Sequence, residues 1–148
     1  MIASRLRLAG LLAAALAAAG TASAADYDWD KLGKEFCARS LAGSVDAIMP
    51  LVTDSLRQEI QFAYARAGQP VPETLFQSYA NDVPVCGART RNAAMIEITR
   101  SGRGGSAPSW KEYLVVTPEA DGTTRIDDVL FGTRRSDTLR SRLRALAN

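Results

Sequence analysis

The sequence RIDDVLFG, residues 125–132, places two carboxylates side by side, at Asp127 and Asp128. Two carboxyl groups that face one substrate can serve as a general acid and a general base. The flanking residues alternate as they do in a half-buried strand, however, and neighbouring side chains of a strand point to opposite faces. We therefore expect Asp128 to share a face with Ile126. Asp127 should share the other face with Val129, so the two acids are not expected to act on one substrate.

Whichever aspartate faces the helices would lie among apolar residues and would need backbone N–H groups, a hydroxyl or an arginine as partners. This reasoning favours a structural acid that ties the sheet to a helix or a loop. The alternative is a ligand-binding or general-base role for Asp128, with Tyr113 or Tyr64 as the hydrogen-bond donor. The pattern leaves open which face of the sheet carries Asp128.

Histidine is absent from all 148 residues. This excludes Ser-His-Asp and Cys-His nucleophilic mechanisms and removes the ligand that most transition-metal sites use. Catalysis would have to depend on carboxylates, tyrosines or lysines with shifted pKa values. We expect no metal, no cofactor and no catalytic residue, and the sequence favours a role that is not enzymatic.

The two cysteines of the chain are Cys37 and Cys86. In a chain that enters an oxidising compartment, such a pair is most simply one disulfide. A redox pair or a metal site is the alternative, but the spacing is not Cys-x-x-Cys and no histidine can complete a zinc shell. The bridge would hold the first helix at the start of the sheet and would contribute roughly 4 kcal/mol on the chain-entropy estimate.

Residues 1–24 have the layout of a secretory signal peptide. Two arginines precede an apolar run of 12 residues, 8–19, and a small-residue pattern ends at Ala24. A membrane-spanning helix needs about 20 apolar residues, so the run predicts no permanent anchor. We expect export, to the periplasm or alternatively to the extracellular medium, and one mature domain over residues 25–148.

The balance of charge gives little support for binding to nucleic acid. The chain has 18 Lys+Arg and 16 Asp+Glu, and removal of the predicted signal takes away two arginines and no acid, which leaves 16 of each. The charge is uneven, because residues 25–88 hold 5 basic and 9 acidic groups and residues 89–148 hold 11 and 7. A neutral, dipolar, exported chain is not expected to bind nucleic acid.

Apolar residues at helical spacing predict helices in the first half of the mature chain. The first should run over residues 30–42, followed by a short helical piece that breaks or changes direction near Pro50. The next should open near Ser55, which stands three residues before Gln58, and end at Gly68.

Residues 69–87 contain three prolines and predict an irregular crossing segment. We expect Phe76 and Tyr79 to anchor this segment by packing, and their alternative role is a lip over a pocket.

A period of two begins after residue 92 and predicts three strands, in AAMIEITR, WKEYLVVT and TTRIDDVLF. Asp121-Gly122 is a hairpin signal between the last two strands. The glycine-rich connection over residues 101–109 lacks the Gly-Lys-Ser/Thr ending of a phosphate-binding loop, so a long hairpin loop is expected. The fold class is therefore α+β, with helices packed on an antiparallel meander of at least three strands.

The end of the chain, TRRSDTLRSRLRALAN, predicts a short helix with Ser136 as its N-cap and a narrow leucine stripe. We expect this helix to dock on the sheet or on the earlier helices. Its arginines also fit a helix that lies on anionic lipid. A basic surface patch is predicted from five residues, Arg134, Arg135, Arg140, Arg142 and Arg144.

The order of the elements, with helices first, then a proline-rich crossing, then an antiparallel sheet, resembles the nuclear transport factor 2-like superfamily. The segments EFCARSLAG, LVTDSLRQEI, PVCG and RIDDVLFG resemble small exported bacterial proteins of unknown function with this layout. The resemblance covers residues 35–144 and implies a curved sheet that wraps around the helices to form a pocket. Some members use this pocket for catalysis, and others bind proteins with it. The chain lacks the histidine of the Asp-His pairs in some enzymatic members.

Three functions follow as hypotheses. The first is an exported domain that binds a small molecule, a peptide or another envelope component without catalysis. The second is a metal-free lyase, isomerase or hydrolase that uses Asp128 as a base. The third is weak association with a membrane surface through the basic patch. The sequence predicts no oligomeric state.

Overall fold

Four α-helices and one four-stranded antiparallel sheet make up the part of the chain that a computed structural model describes. The described residues are 28–41, 44–68, 70–78, 85–102, 109–132 and 134–148. The helices are α1 Asp30–Leu41, α2 Val45–Ile48, α3 Asp54–Arg66 and α4 Leu139–Ala147, and the strands are β1 Val85–Asn92, β2 Met95–Ser101, β3 Trp110–Pro118 and β4 Thr124–Leu130. This is the predicted α+β class. The predicted signal peptide and Tyr79 lie outside the described residues.

Helix α1 packs against β1 and β2 with Gly33 at the contact. A Cβ atom at Gly33 would lie 2.6 Å from the Cβ atom of Ala88 and 2.9 Å from Cγ2 of Ile96. Glycine therefore allows the helix to approach the sheet closely. At the start of α1, the Asp30 carboxylate accepts hydrogen bonds from the hydroxyl and the backbone N–H of Thr90, at 2.7 and 2.6 Å, and these bonds lower the pKa of Asp30.

The predicted disulfide between Cys37 and Cys86 is confirmed, with a Cα–Cα distance of 5.7 Å across 49 positions of sequence. It joins α1 to β1. Along α1, Asp30 lies next to Thr90, Gly33 lies next to Ala88 and Cys37 is bonded to Cys86. The residue numbers rise in α1 as they fall in β1, so the two elements run antiparallel.

Helix α3 begins one turn after a 3-10 turn over Met49–Leu51, which contains Pro50. Its N-cap is Thr53, whose hydroxyl oxygen accepts a hydrogen bond from Leu56 N at 3.2 Å. The helix starts next to Ser55, as predicted, but the cap is Thr53 and not Ser55. Thr53 is already extended because its neighbour Val52 forms a bridge with β4, and an extended residue with a hydroxyl is what an N-cap requires.

The sheet has the order β1-β2-β3-β4, in which all neighbours are antiparallel. The three predicted strands correspond to β2, β3 and β4. Gly122 closes the β3–β4 hairpin with φ at +80°, a conformation that favours glycine. The fourth strand, β1, was not predicted, because its sequence VCGARTRN has few apolar residues and lies at an edge of the sheet.

Helix α4 begins after Thr138, and Thr138 and Ser141 form a capping box. Ser136 is therefore not the N-cap, since the bridge between Leu130 and Thr138 holds Thr138 in an extended conformation next to β4. The expected docking of this helix is confirmed, because its three predicted leucines, Leu139, Leu143 and Leu146, are buried.

The core lies between the helices and the inner face of the sheet. Phe76 is buried there, as expected for an anchor of the crossing segment. The largest apolar side chains with less than 2% of their surface exposed are Phe36, Ile48, Leu56, Ile60, Ile96, Ile98, Leu114, Ile126, Leu139 and Leu143. These residues fill the space where the resemblance implied a pocket.

Candidate functional site

The two adjacent aspartates lie at a β-bulge. Val115 pairs with Asp128 and Val116 pairs with Ile126, so Asp127 is an extra residue with no partner in β3. A bulge reverses the alternation of the strand beyond it. As a result, Ile126 and Val129 are both fully buried, and the prediction that they occupy opposite faces is wrong.

Both aspartates bond to Arg140 of α4. The Arg140 guanidinium donates to the Asp127 carboxylate at 2.7 Å and to the Asp127 carbonyl at 3.0 Å. The Arg140 backbone N–H donates to the Asp128 carboxylate at 3.1 Å. Thr53 donates its hydroxyl to Asp127 at 2.8 Å, and Glu59 of α3 forms an ion pair with Arg140. The acids thus join β4 to α3 and α4 through a single arginine.

The residues of the acid/base hypothesis are brought together only in part. Asp128 pairs with Val115 and Tyr113 pairs with Leu130, so these two residues are diagonal neighbours on β4 and β3. The Asp128 carboxylate, however, accepts hydrogen bonds from the backbone N–H groups of Val129 and of Arg140 in α4. Tyr64 is on α3, half-buried in the helical layer, where burial and the neighbouring Asp46 raise its pKa. The sheet therefore separates Tyr64 from Tyr113, whose side chain points away from the helices. The ligand-binding roles of these three residues stay predictions.

The five arginines of the predicted basic patch have different surroundings. Arg140 forms ion pairs with Asp127 and Glu59. Arg142 forms an ion pair with Asp137 at 2.7 Å, donates to the Gln77 carbonyl at 2.8 Å and lies 3.5 Å from the centre of the Phe131 ring. The other three, Arg134, Arg135 and Arg144, are exposed.

A groove of about 610 Å³ runs between α3 and α4. Its apolar lining includes Ala63 and Leu143, which are buried, and Phe62, whose surface is 58% exposed. Its polar lining includes Glu59 and Arg144. The remaining lining residues are Ser55, Gln58, Ala147 and Asn148. The groove combines apolar and polar groups, as small-molecule sites do.

The charges at this groove do not balance. The Glu59 carboxylate is paired with Arg140. Arg144 forms no ion pair with any residue in the described part of the chain, and Arg66 lies with its guanidinium 5.2 Å from the Phe62 ring. The groove therefore offers an exposed aromatic ring together with an arginine that has no ion-pair partner among the described residues.

A fully buried ion pair was missed by the sequence analysis. Arg100 Nε donates to Glu112 Oε2 at 2.7 Å, and neither side chain is exposed. Glu112 also accepts from Trp110 Nε1 at 3.2 Å and from the Ser78 backbone N–H, while Arg100 contacts Ser40 at 3.2 Å. Strand alternation gives a signal for it, since Arg100 shares the inner face with Ile96 and Ile98.

A second acid, Glu97, lies between cations on the outer face of the sheet. It is 6% exposed and is 3.1 Å from Lys111 Nζ and 3.5 Å from Arg91 Nε. The hydrogen bond from Lys111 lowers its pKa. A second surface cavity lies along the exposed side of α1, between Asp28 and Ala38.

Within the described ranges, no three Cys, Asp or Glu side chains are grouped so that they could hold a metal ion. None of the described helices is long and apolar enough to cross a bilayer. No protein-family model, curated protein or solved structure matches the chain. A function has to be inferred from the geometry of the molecule itself.

Proposed function

We propose that the protein is an exported, non-enzymatic binding domain that holds a small apolar molecule with an acid group in the groove between α3 and α4. The observation that carries this proposal is the unpaired guanidinium of Arg144 at the same groove as the exposed ring of Phe62. The groove volume of about 610 Å³ is within the usual range for small-molecule sites, roughly 300 to 1,000 Å³.

The apolar part of the ligand is inferred from Phe62. A phenylalanine with 58% of its surface in water gains free energy when a ligand covers it, because apolar burial contributes about 25 cal/mol per Å². Ala63 and Leu143 provide an apolar lining beside it. A ligand with a hydrocarbon body fits these neighbours better than a sugar or another polar molecule.

The acid group is inferred from the charges at the groove. Glu59 is paired with Arg140, which reduces its repulsion of an additional anion but does not cancel it, because Arg140 also pairs with Asp127. Arg144 can donate two parallel hydrogen bonds to a carboxylate, and charge-assisted hydrogen bonds of this kind are worth about 1.5 to 3 kcal/mol.

Export is supported by the signal-like first 24 residues and by a disulfide that is consistent with an oxidising location. The resemblance to the nuclear transport factor 2-like superfamily also belongs to this proposal, with one difference. The groove lies between two helices, and the space between helices and sheet is occupied by the core.

Calorimetric titration with decanoate and with decanol tests the proposal, because the two compounds differ in the acid group and share the hydrocarbon chain. Decanoate should bind at least about tenfold more tightly, as expected from one charge-assisted contact. Arg144→Gln should remove that preference. Arg135→Gln, the same change at an exposed arginine outside the groove, should keep it.

Equal binding of decanoate and decanol would contradict the role of Arg144, and the absence of binding by either compound would contradict the groove as the ligand site. A preference for decanoate that survives in Arg144→Gln would place the anion contact elsewhere on the molecule.

A further inference from the structure

The two edges of the sheet differ in how their backbone is covered. At the β4 edge, Val52 forms a parallel bridge with Ile126. Thr138 forms an antiparallel bridge with Leu130 at the same edge. At the β1 edge, no described segment pairs with the strand on the side away from β2. Among the described residues, β1 is therefore the open edge of the sheet.

The hydrogen-bonding phase of the sheet decides which groups of β1 point outward. Val116 N donates to Ala94 O at 2.9 Å, so in β2 the even-numbered residues bond to β3 and the odd-numbered residues bond to β1. The partners of those odd-numbered residues in β1 are Val85, Gly87 and Arg89. The even-numbered residues of β1 consequently direct their backbone N–H and C=O groups to the open edge.

Three residues of β1 point outward in this way, and one of them is blocked. Thr90 N donates to the Asp30 carboxylate at 2.6 Å, so the side chain of α1 closes that end of the edge. The backbone groups of Cys86 and Ala88 have no partner among the described residues beyond the strand. A stretch of edge that begins at Val85 is therefore available for pairing.

Apolar side chains lie at the same end of this edge. Val85 is 48% exposed and Leu41 is 41% exposed, and these are two of the three large apolar residues exposed in the described part of the chain. Leu41 lies one helical turn beyond Cys37, which is bonded to Cys86, so it extends α1 toward the Val85 end of the strand.

Cations outnumber acids along the rest of the edge, where Arg89, Arg91 and Lys34 are accompanied by Asp30 and Glu97. Arg89 is exposed on the outer face, and Arg91 is 45% exposed next to it. Lys34 is exposed one turn after Asp30, on the flank of α1 that runs beside β1. No described atom lies within 4 Å of the place where a Cβ atom of Gly87 would be, so the outer face between Val85 and Arg89 is uncovered by the described residues.

From these observations we infer that the β1 edge binds an extended acidic peptide by strand addition. The peptide backbone pairs with Cys86 and Ala88, its acidic side chains pair with Arg89 on the outer face of the sheet, and its apolar side chains contact Leu41 on the helix side. Strand addition of this kind gives affinity through main-chain hydrogen bonds and specificity through alternate side chains. A second copy of the chain is disfavoured at this edge, because each copy would bring the same excess of positive charge to it.

Fluorescence anisotropy with two labelled peptides tests the inference on the disulfide-bonded chain. One peptide alternates valine and glutamate, and the other alternates valine and lysine. The glutamate peptide should bind at least about tenfold more tightly. Arg89→Glu should reverse that order, and Arg135→Glu, the same change at an exposed arginine far from β1, should not.

Amide hydrogen exchange provides the second measurement. The glutamate peptide should slow exchange at Cys86 and Ala88 and leave the amides of β4 unchanged. Binding without this protection, or binding that is the same in Arg89→Glu, would overturn the inference. Sedimentation that shows a dimer, with loss of peptide binding as the dimer forms, would overturn it as well by identifying a second copy as the occupant. None of these outcomes depends on the α3–α4 groove.

Discussion

At the scale of the residue, the most demanding feature is the ion pair between Arg100 and Glu112, because both charges are removed from water. The pair is compensated by further donors on Glu112 and by Ser40 on Arg100, but Arg100 Nη1 is buried with no partner in the described part of the chain. Removal of one charge from such a pair leaves the other uncompensated.

We therefore predict that Glu112→Leu lowers the free energy of unfolding by about 3 to 5 kcal/mol. The double variant Arg100→Met/Glu112→Leu should recover most of this loss, because it removes both charges and keeps the volume. Urea unfolding of the four proteins gives the coupling energy. If the single variant were as stable as the wild type, the pair would not bear on stability.

The twin aspartates show what the sequence could and could not provide at this scale. A structural role was the favoured hypothesis, and their hydrogen bonds tie β4 to α3 and α4. The predicted faces of the β4 side chains were wrong because β4 has a bulge at Asp127, and the partners of Asp127 lie far along the chain. Thr53 is 74 positions away and Arg140 is 13 positions away. Local alternation carries no information about such partners.

At the scale of the element, the β3–β4 turn is held by an acid. The hydroxyl of Thr123, and then its backbone N–H, lower the pKa of Asp121 from 3.8 to about 2. A carboxylate with a lowered pKa stabilises the fold at pH values above its unfolded pKa, and this stabilisation is lost as the pH falls toward the folded pKa. The turn should therefore weaken between about pH 4 and pH 2.

The variant Asp121→Asn should lack this component of the acid sensitivity. The difference in free energy of unfolding between the wild type and the variant should shrink as the pH is lowered through that window. Thr123→Val is the matched test, because loss of the hydroxyl should raise the pKa of Asp121 toward 3.8. Titration of Asp121 by NMR measures this pKa directly. An unchanged pKa in Thr123→Val would contradict the assigned cause.

Helices and strands with a strong apolar period were predicted, and those whose position depends on tertiary contacts were missed. The α3 and α4 helices were found by their apolar faces, but both N-caps lie at threonines that bridges to β4 hold extended. β1 was missed because its side chains do not alternate in hydrophobicity. Its position is set by its backbone pairing with β2 and by its disulfide to α1. The groove follows from how α3 packs on α4, which no local pattern specifies.

At the scale of the whole molecule, the disulfide joins the first helix to the open edge of the sheet. We predict that Cys37→Ala/Cys86→Ala lowers the free energy of unfolding by about 2 to 5 kcal/mol, because the unfolded chain loses a constraint that spans 49 positions. Urea unfolding of the wild type in the presence of a reductant should give a similar loss. A change below about 1 kcal/mol in both experiments would show that α1 is held mainly by its packing.

The claim that the groove between α3 and α4 binds a ligand is tested most directly by nuclear Overhauser contacts between decanoate and the isotope-labelled protein. We predict contacts from the hydrocarbon chain to Phe62, Ala63 and Leu143, and a shift of the Arg144 side-chain resonance that decanol does not cause. Contacts to the region of Tyr113 and Asp128, with none in the groove, would contradict this claim.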